Sequence, residues 1–371
     1  MTHRLRAAAL KVHLWLGLTA GLIIAILCLT GALLVFEQEI TQGLHPERYR
    51  VEGTGPFVPY AVAQDSVLAA APGARIGIAT IGTDPGRPWE FAVMGEGGPR
   101  RAFVDPHTGH VIALAPFRMA FFQRTMELHR WLLADEVGQQ ITGAATVMFV
   151  VLLLAGIVIW WPRTKGALRA RINPLAVFNT HSGGRRKLHD LHVALGIWVW
   201  PVLLVLALTG LPEAYEWAGS TMMAVTAARR PPRPPMSGGD STMATLPLDS
   251  LVGVARATFP GARLISVRPA GRGNGSVGIQ AVAADQSSDR KTDVAYVDRH
   301  TGAVLRVDRW NDLSAGWRLR RLDETIHTGA IWGLPSKVLA FLATLLGASF
   351  PVTGLLMYRA GRKRGAQHQA S

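Results

Sequence analysis

The sequence predicts a membrane α-helical protein, with four transmembrane helices in two pseudo-symmetric halves and two small α+β domains outside the bilayer. Three observations predict this fold. Four stretches are long and apolar enough to cross a bilayer, which takes about 20 residues. Positive charge is concentrated in alternate connecting segments, and the second half of the chain repeats motifs of the first. Charged residues make up only 17% of the chain, which argues against an ordinary soluble enzyme.

The four predicted spans divide the chain into eight segments. The first span follows basic residues, as a secretory signal does, but its apolar run is longer than a signal core and no small-residue cleavage site follows. We therefore expect a retained helix. In order, the segments are an N-terminus with span 1 (1–36), a first outer domain (37–136), span 2 (137–161), a basic loop (162–190), span 3 (191–212), a second outer domain (213–337), span 4 (338–358) and a basic tail (359–371).

The charge distribution predicts the orientation of the spans. Nearly all of the net charge of +14 lies in the N-terminus, the loop 162–190 and the tail 359–371. The positive-inside rule places these segments in the cytoplasm, with both termini inside and both large domains outside. The basic excess is therefore a topology signal, so the lipid bilayer is an expected partner and nucleic acid is not.

Each outer domain is predicted to contain one helix, residues 58–71 or 248–258, followed by four strands. A turn rich in Asp, Thr and Gly joins the last two strands in each domain. The strands are expected at 75–81, 88–94, 101–104 and 111–114 in the first domain, and at 264–269, 276–283, 293–297 and 303–308 in the second.

Four histidines occupy matching positions in the two halves. His13 and His192 each stand 17 residues before a Thr-Gly pair. His129 and His327 each stand 27 residues before a glycine. We therefore expect one histidine on each of the four helices, with His13 and His192 near the inner face and His129 and His327 near the outer face.

Paired imidazoles at membrane depth are suited to haem iron, which takes neutral histidine as an axial ligand. The repeat predicts two bis-histidine sites, one formed by His13 and His192 and one by His129 and His327. Two axial histidines leave no open position, which favours electron transfer over oxygen activation. His189 is an alternative to His192, because the two lie three residues apart on one helix face. The competing interpretation is that these are interfacial histidines that reach lipid headgroups.

The chain resembles the PepSY-associated transmembrane helix family of bacterial inner-membrane proteins. Two Asp-x-x-Thr-Gly strings carry the resemblance, at Asp105–Gly109 and Asp298–Gly302. Three histidine motifs join them: Leu-His-Arg-Trp-Leu at 128–132, Leu-His-Asp-Leu-His at 188–192 and His-Thr-Gly at 327–329. Within that family the chain looks most like the haem-containing ferric-siderophore reductases, of which the ferrioxamine reductases are an example. The resemblance implies PepSY-like outer domains and two haem b groups.

The function implied by the resemblance is reduction of periplasmic Fe(III)-siderophore by electrons that cross the membrane, with release of Fe(II). No residue is assigned as a direct catalyst, because the electron transfer belongs to the cofactor. The chain has no Gly-x-Gly-x-x-Gly motif, and its inner loop is too short for a nucleotide-binding unit. The electron donor is therefore expected to be a quinol, a separate cytoplasmic reductase or a small reductant. The alternatives are a non-enzymatic PepSY binding or regulatory protein and a siderophore or metal permease.

Overall fold

The computed structural model describes residues 3–162, 184–239, 242–269, 275–286 and 288–369. Most of the predicted basic loop at 162–190 and the end of the basic tail lie outside the described residues. The chain divides into two compact units. We call Met1–Glu37, Ala120–Met222 and Asp323–Ser371 the helical unit, and Gln38–Met119 and Met223–Leu322 the sheet unit.

The helices and strands follow the predicted order. The described helices are α1 (His3–Val35), α2 (Glu37–Leu44), α3 (Tyr60–Ala70), α4 (Ala120–Trp131), α5 (Asp135–Trp160), α6 (Gly184–Ala214), α7 (Glu216–Val225), α8 (Leu248–Thr258), α9 (Ala315–His327) and α10 (Leu334–Gln369). The described strands are β1 (Arg75–Gly82), β2 (Trp89–Gly95), β3 (Gly98–Val104), β4 (Val111–Pro116), β5 (Ala262–Arg268), β6 (Val277–Ala283), β7 (Asp293–Val297) and β8 (Val304–Asp308).

Four of the described helices, α1, α5, α6 and α10, are long and apolar enough to cross a membrane. This confirms the predicted spans. In the helical unit, α1 and α6 each pack against both α5 and α10. Large apolar side chains remain exposed on these helices, which suits contact with lipid rather than water. They include Leu22, Leu29, Leu154, Leu208, Leu342 and Leu345.

The sequence predicted one histidine on each spanning helix, and for the outer pair this is wrong. His129 lies in the last turn of α4, and His327 is the last residue of α9. Between α4 and α5, Leu132 and Leu133 adopt left-handed backbone angles, which end the helix. Gly329 and Gly333 adopt positive φ between α9 and α10. Each outer histidine is thus carried by a separate helix that precedes the span.

The eight strands form one antiparallel sheet in the order β4-β3-β2-β1-β5-β6-β7-β8. The sequence indicated two small α+β domains, but the two copies share this sheet and one hydrophobic core. They join where β1 pairs with β5, with Thr80 opposite Ser266 and their hydroxyl oxygens 3.1 Å apart. The physical reason is that the first strand of each copy has a free edge, which the other copy satisfies.

One face of the sheet carries α3 and α8, whose apolar residues complete the core. Trp89 and Phe91 from the strands and Val252 from α8 are fully buried. Asp249 in the first turn of α8 also bridges the two copies. Its carboxylate oxygens accept hydrogen bonds from the backbone N–H groups of Tyr60 and Ala61, both at 2.8 Å. Since the residue before α3 is Pro59 and offers no side-chain cap, Asp249 supplies the missing acceptor.

The Asp249→Ala variant should lower the thermal unfolding temperature of the purified protein, because two N–H groups at the start of α3 lose their acceptor. The expected cost is about 0.5–2 kcal/mol, the usual range for a lost helix cap. Asp65→Ala is the matched control, since Asp65 is exposed on α3 itself. Equal unfolding temperatures for the two variants would contradict the capping role.

The two Asp-x-x-Thr-Gly strings form turns that are closed by the aspartate. In the second copy, Asp298 accepts hydrogen bonds from the backbone N–H groups of His300 and Thr301, both at 2.9 Å, and from Gly238 at 2.6 Å. These donors lower the pKa of Asp298 well below its ordinary value. Gly302 follows with a φ of 76°, which explains the glycine at the end of the motif.

A depressed carboxylate pKa gives a pH-dependent stability. The charged Asp298 stabilises the fold fully above its unfolded pKa of about 3.9, and this stabilisation is lost as the pH falls further. Asp298→Asn should therefore unfold at a lower temperature than wild type at pH 7, with a gap that narrows below about pH 4. Thermal unfolding measured between pH 3 and pH 8 tests this, and a gap that stays constant would contradict it.

Candidate functional site

The inner histidine pair lies within the helical unit. His13 on α1 and His192 on α6 have ring centroids 6.4 Å apart, with the ring planes at 80°. The N–H at Nδ1 of His13 donates to the Leu152 carbonyl on α5 at 3.0 Å. Nδ1 of His192 lies 2.7 Å from the hydroxyl of Thr353 on α10. Each inner histidine is therefore held by a neighbouring helix, and the two rings lie close together in an edge-on arrangement.

A cavity of about 720 Å³ surrounds the inner pair. This volume falls within the range of about 300–1,000 Å³ that is common for cofactor and ligand sites. Its lining is mostly apolar and includes both histidines and the aromatic rings of Phe350 and Trp200. Two basic residues, Arg6 and Lys11, also line it.

The outer pair has nearly the same ring separation. The ring centroids of His129 and His327 are 6.3 Å apart, with the ring planes at 52°. Nδ1 of His129 lies 2.8 Å from the hydroxyl of Thr30 on α1. Nδ1 of His327 donates to the Leu206 carbonyl at 3.0 Å and lies 3.2 Å from the Thr209 hydroxyl, both on α6. The predicted Thr-Gly pairs thus contact the outer histidines.

In all four histidines the hydrogen bond engages Nδ1. A carbonyl accepts but cannot donate, so His13 and His327 carry the proton on Nδ1. Among the described residues, none hydrogen-bonds Nε2 of these rings. Nε2, which keeps its lone pair, is therefore the atom that His13 and His327 offer as a metal ligand.

The remaining candidate, His189, is not part of the inner pair. Its side chain is 63% exposed and bonds Asp190, with Nδ1 and Oδ1 3.1 Å apart. Although His189 also lines the cavity, His192 is the histidine that faces His13. The repeated histidines of the turn motifs, His107 and His300, bond backbone carbonyls of Pro85 and Ala244.

The sequence singled out the paired histidines but not what holds them. Thr30 and Thr209 bond back within their own helices, both at 2.7 Å. Their second contact, to the outer histidines, was not predicted. Thr353 was missed altogether, because the corresponding residue of the first half is Ala155. Its position one residue before the glycine that ends the 27-residue repeat gave no signal for it.

The comparisons with known proteins agree with this architecture. The family model of the PepSY-associated transmembrane region matches residues 10–360. The chain belongs to the PepSY-associated transmembrane family. No curated protein matches the chain. The family match confirms the resemblance drawn from the Asp-x-x-Thr-Gly and histidine motifs.

The residues of this PepSY-associated protein fit the haem that the resemblance implies. Two imidazole–metal bonds of about 2.0–2.1 Å, with about 1.1 Å from each nitrogen to its ring centroid, give a centroid separation of about 6.3 Å. Both observed separations agree with this value. Among the described residues, no group of three or more His, Cys, Asp or Glu side chains could hold a bare metal ion. A pair of histidines is suited instead to a metal ion whose remaining ligands are supplied by a cofactor.

Glycines provide a second test of fit at the inner pair. Gly196 and Gly354 line the cavity, and a Cβ added at either would meet nothing within 4 Å. Gly156 lies against the ring of His13, where a Cβ would be 3.4 Å from the Cε1 atom. Gly196 and Gly354 therefore leave open space in the cavity, and Gly156 permits close approach of the His13 ring, as a flat macrocycle between the helices requires.

Filling this space should block the inner site selectively. A Cβ at Gly354 meets no neighbouring atom, and the longer side chain of Gly354→Leu should enter the cavity, so we expect a folded protein that loses haem at the inner pair and keeps it at the outer pair. Haem per chain and the reduced absorption spectrum measure this. Gly253→Leu is the control, because Gly253 on α8 also has open space but lies outside the cavity. Unchanged haem content in Gly354→Leu would contradict a haem in this cavity.

Proposed function

We propose that the protein is an inner-membrane dihaem reductase, which passes electrons across the membrane to a periplasmic Fe(III)-siderophore and releases Fe(II). The observation that carries the proposal is the presence of two histidine pairs with the same separation, each with Nε2 available. His13 and Thr30 lie 17 residues apart on α1, or about 25 Å at 1.5 Å per residue. This spacing supports one site near each side of a hydrocarbon core about 30 Å thick.

The side chains around each pair have defined tasks in this proposal. His13 and His192 would hold one haem b, and His129 and His327 the other. Arg6 and Lys11 at the inner cavity would pair with the anionic propionates of the inner haem. When bound, haem supplies a one-electron carrier that cycles between Fe(III) and Fe(II). The apolar core between the pairs, including Phe149 and Leu203, excludes water and ions from the interval.

The direction of electron flow is part of the proposal and follows from the charge distribution. The positive-inside rule assigns the His13 end to the cytoplasm and the sheet unit to the periplasm. The donor, a quinol, a separate reductase or a small reductant, therefore acts at the inner pair. The siderophore as acceptor is taken from the family resemblance. Reduction adds one electron to Fe(III), and a chelator with hard oxygen ligands then binds the resulting Fe(II) less tightly.

Two specific features favour this function over the alternatives. A non-enzymatic anchor requires no matched histidine pairs with their Nδ1 atoms held. A permease commonly has discontinuous spans around a central site, whereas α6 and α10 continue through Pro201 and Pro351.

The full chain, purified in detergent after expression with ample haem, should show b-type bands that sharpen on reduction with dithionite, and close to two haems per chain. His13→Ala or His192→Ala should remove the inner haem only, because the one histidine that remains would hold the haem iron less tightly than the pair. His129→Ala or His327→Ala should remove the outer haem only. His189→Ala is the control and should retain both.

The reductase step is then tested with the dithionite-reduced protein freed of excess reductant. Mixing it anaerobically with a ferric hydroxamate should reoxidise the haem bands and yield Fe(II), trapped by a ferrous chelator. Folded wild-type protein without haem would sink the proposal and favour the non-enzymatic binding protein. If the protein binds two haems but no ferric siderophore reoxidises them, the protein remains an electron carrier, and a ferric siderophore is rejected as its acceptor.

A further inference from the structure

Three threonines stand between the histidine pairs and the backbone of neighbouring helices. The hydroxyl of Thr30 bonds the Ile26 carbonyl at 2.7 Å, that of Thr209 the Val205 carbonyl at 2.7 Å and that of Thr353 the Phe350 carbonyl at 3.0 Å. A hydroxyl has a single proton to donate and two lone pairs that accept. Because the carbonyl takes the proton, the oxygen faces the histidine as an acceptor.

This arrangement determines which nitrogen of the histidine is protonated. At 2.7 Å from Nδ1 of His192 and 2.8 Å from Nδ1 of His129, the hydroxyl oxygens accept the imidazole N–H. The proton is then on Nδ1, and the lone pair is on Nε2. An acceptor is required at this depth, because lipid offers none and an unsatisfied N–H costs several kcal/mol.

A comparison of the two halves shows that the inner threonine adds a link. His13 donates directly to the carbonyl of Leu152. By the 27-residue repeat, Leu152 corresponds to Phe350, whose carbonyl receives the Thr353 hydroxyl proton. The two inner histidines thus reach equivalent backbone carbonyls, one directly and one through a hydroxyl. At the inner pair, Thr353 is the threonine that mutation can test. The equivalent residue in the first half is Ala155.

We propose that Thr353 and Thr30 are positioning residues that orient His192 and His129 through Nδ1, and so set the affinity and reduction potential of each haem separately. Thr209 supports His327 in the same way, beside a direct bond to the Leu206 carbonyl, and His129 likewise has a backbone partner at Leu27 beside Thr30. The proposal rests on the dihaem function proposed above. Hydrogen bonds to a ligating histidine raise its basicity, and basic ligands favour Fe(III) over Fe(II).

The test is a spectroscopic redox titration of the full-length haem-loaded protein and its variants. Thr353→Val removes the hydroxyl and keeps the shape, so the potential of the inner haem should rise while that of the outer haem stays constant. Thr30→Val should raise the potential of the outer haem and leave that of the inner haem constant. Thr353→Ser and Thr30→Ser retain the hydroxyl and should restore the wild-type potentials. His13→Ala and His129→Ala proteins assign each potential to its site.

Haem affinity gives a second readout that is independent of activity. Transfer of haem to an excess of apomyoglobin should show binding at the affected site weakened by about 10–100-fold, the usual effect of losing such a partner. The matched controls are Thr344→Val on α10 and Thr19→Val on α1. Both threonines bond back within their helices, and within the described part of the chain neither is hydrogen-bonded to a histidine. They should leave both haems unchanged.

The outcomes separate this inference from the function on which it rests. Wild-type protein without haem rejects the proposed function before any threonine variant is made. Two haems whose potentials and affinities do not change in Thr353→Val and Thr30→Val reject the positioning role alone. Equal shifts at both haems, or the same shift in the Thr344→Val control, also reject it. If Thr353→Val does not fold, Thr30→Val and the two serine variants decide the question at the outer haem.

Discussion

The structure of the helical unit depends on one constraint: an imidazole inside a membrane must find an acceptor for its N–H. A polar group left unsatisfied there costs several kcal/mol. Each of the four histidines meets this requirement on a helix other than its own, through a carbonyl or a threonine hydroxyl. This requirement fixes more than ring orientation. It couples α1 to α5 and α6 to α10 at the inner end, and α4 to α1 and α9 to α6 at the outer end.

These contacts show what each half of the helical unit contributes to the two sites. Within each half, one helix supplies the histidine and its partner supplies the acceptor. Between the halves, the rings are brought to 6.4 Å and 6.3 Å. Each site is therefore shared by two halves that each complete their own hydrogen bonds. A site of this kind is assembled by packing of the halves, and it requires no rearrangement of either half.

Most of the fold was predictable because its signals are local. Apolar runs of about 20 residues identify the spans, and alternating patterns identify the strands. The helix at 248–258 and the strand at 293–297 agree with the structure to the residue. Long-range choices were harder. The pairing of β1 with β5 was not predictable, because a free strand edge does not specify its partner.

The candidate site was predictable to the level of the histidine pairs, because the repeat places equivalent residues at equivalent depths. Its supporting contacts were not. Leu132 and Leu133 end α4 with left-handed backbone angles. Because neither residue is a glycine, the sequence gives no signal for the end of this helix. Thr353 has no threonine counterpart in the first half, so the repeat concealed it. His13 bonds directly to a backbone carbonyl. Every residue has such a carbonyl, so no particular side chain in the sequence indicates this contact.

The pairing of β1 with β5 has a consequence for biosynthesis. Ala79 pairs with Val267, so the first half of the sheet is made long before its partner edge exists. At about 5–20 residues per second, the ribosome takes about 10–40 s to supply the missing strand. During that interval two spans must enter the bilayer while the exposed β1 edge can pair with other extended chains. Newly made protein is thus exposed to aggregation between the completion of β1 and the completion of β5.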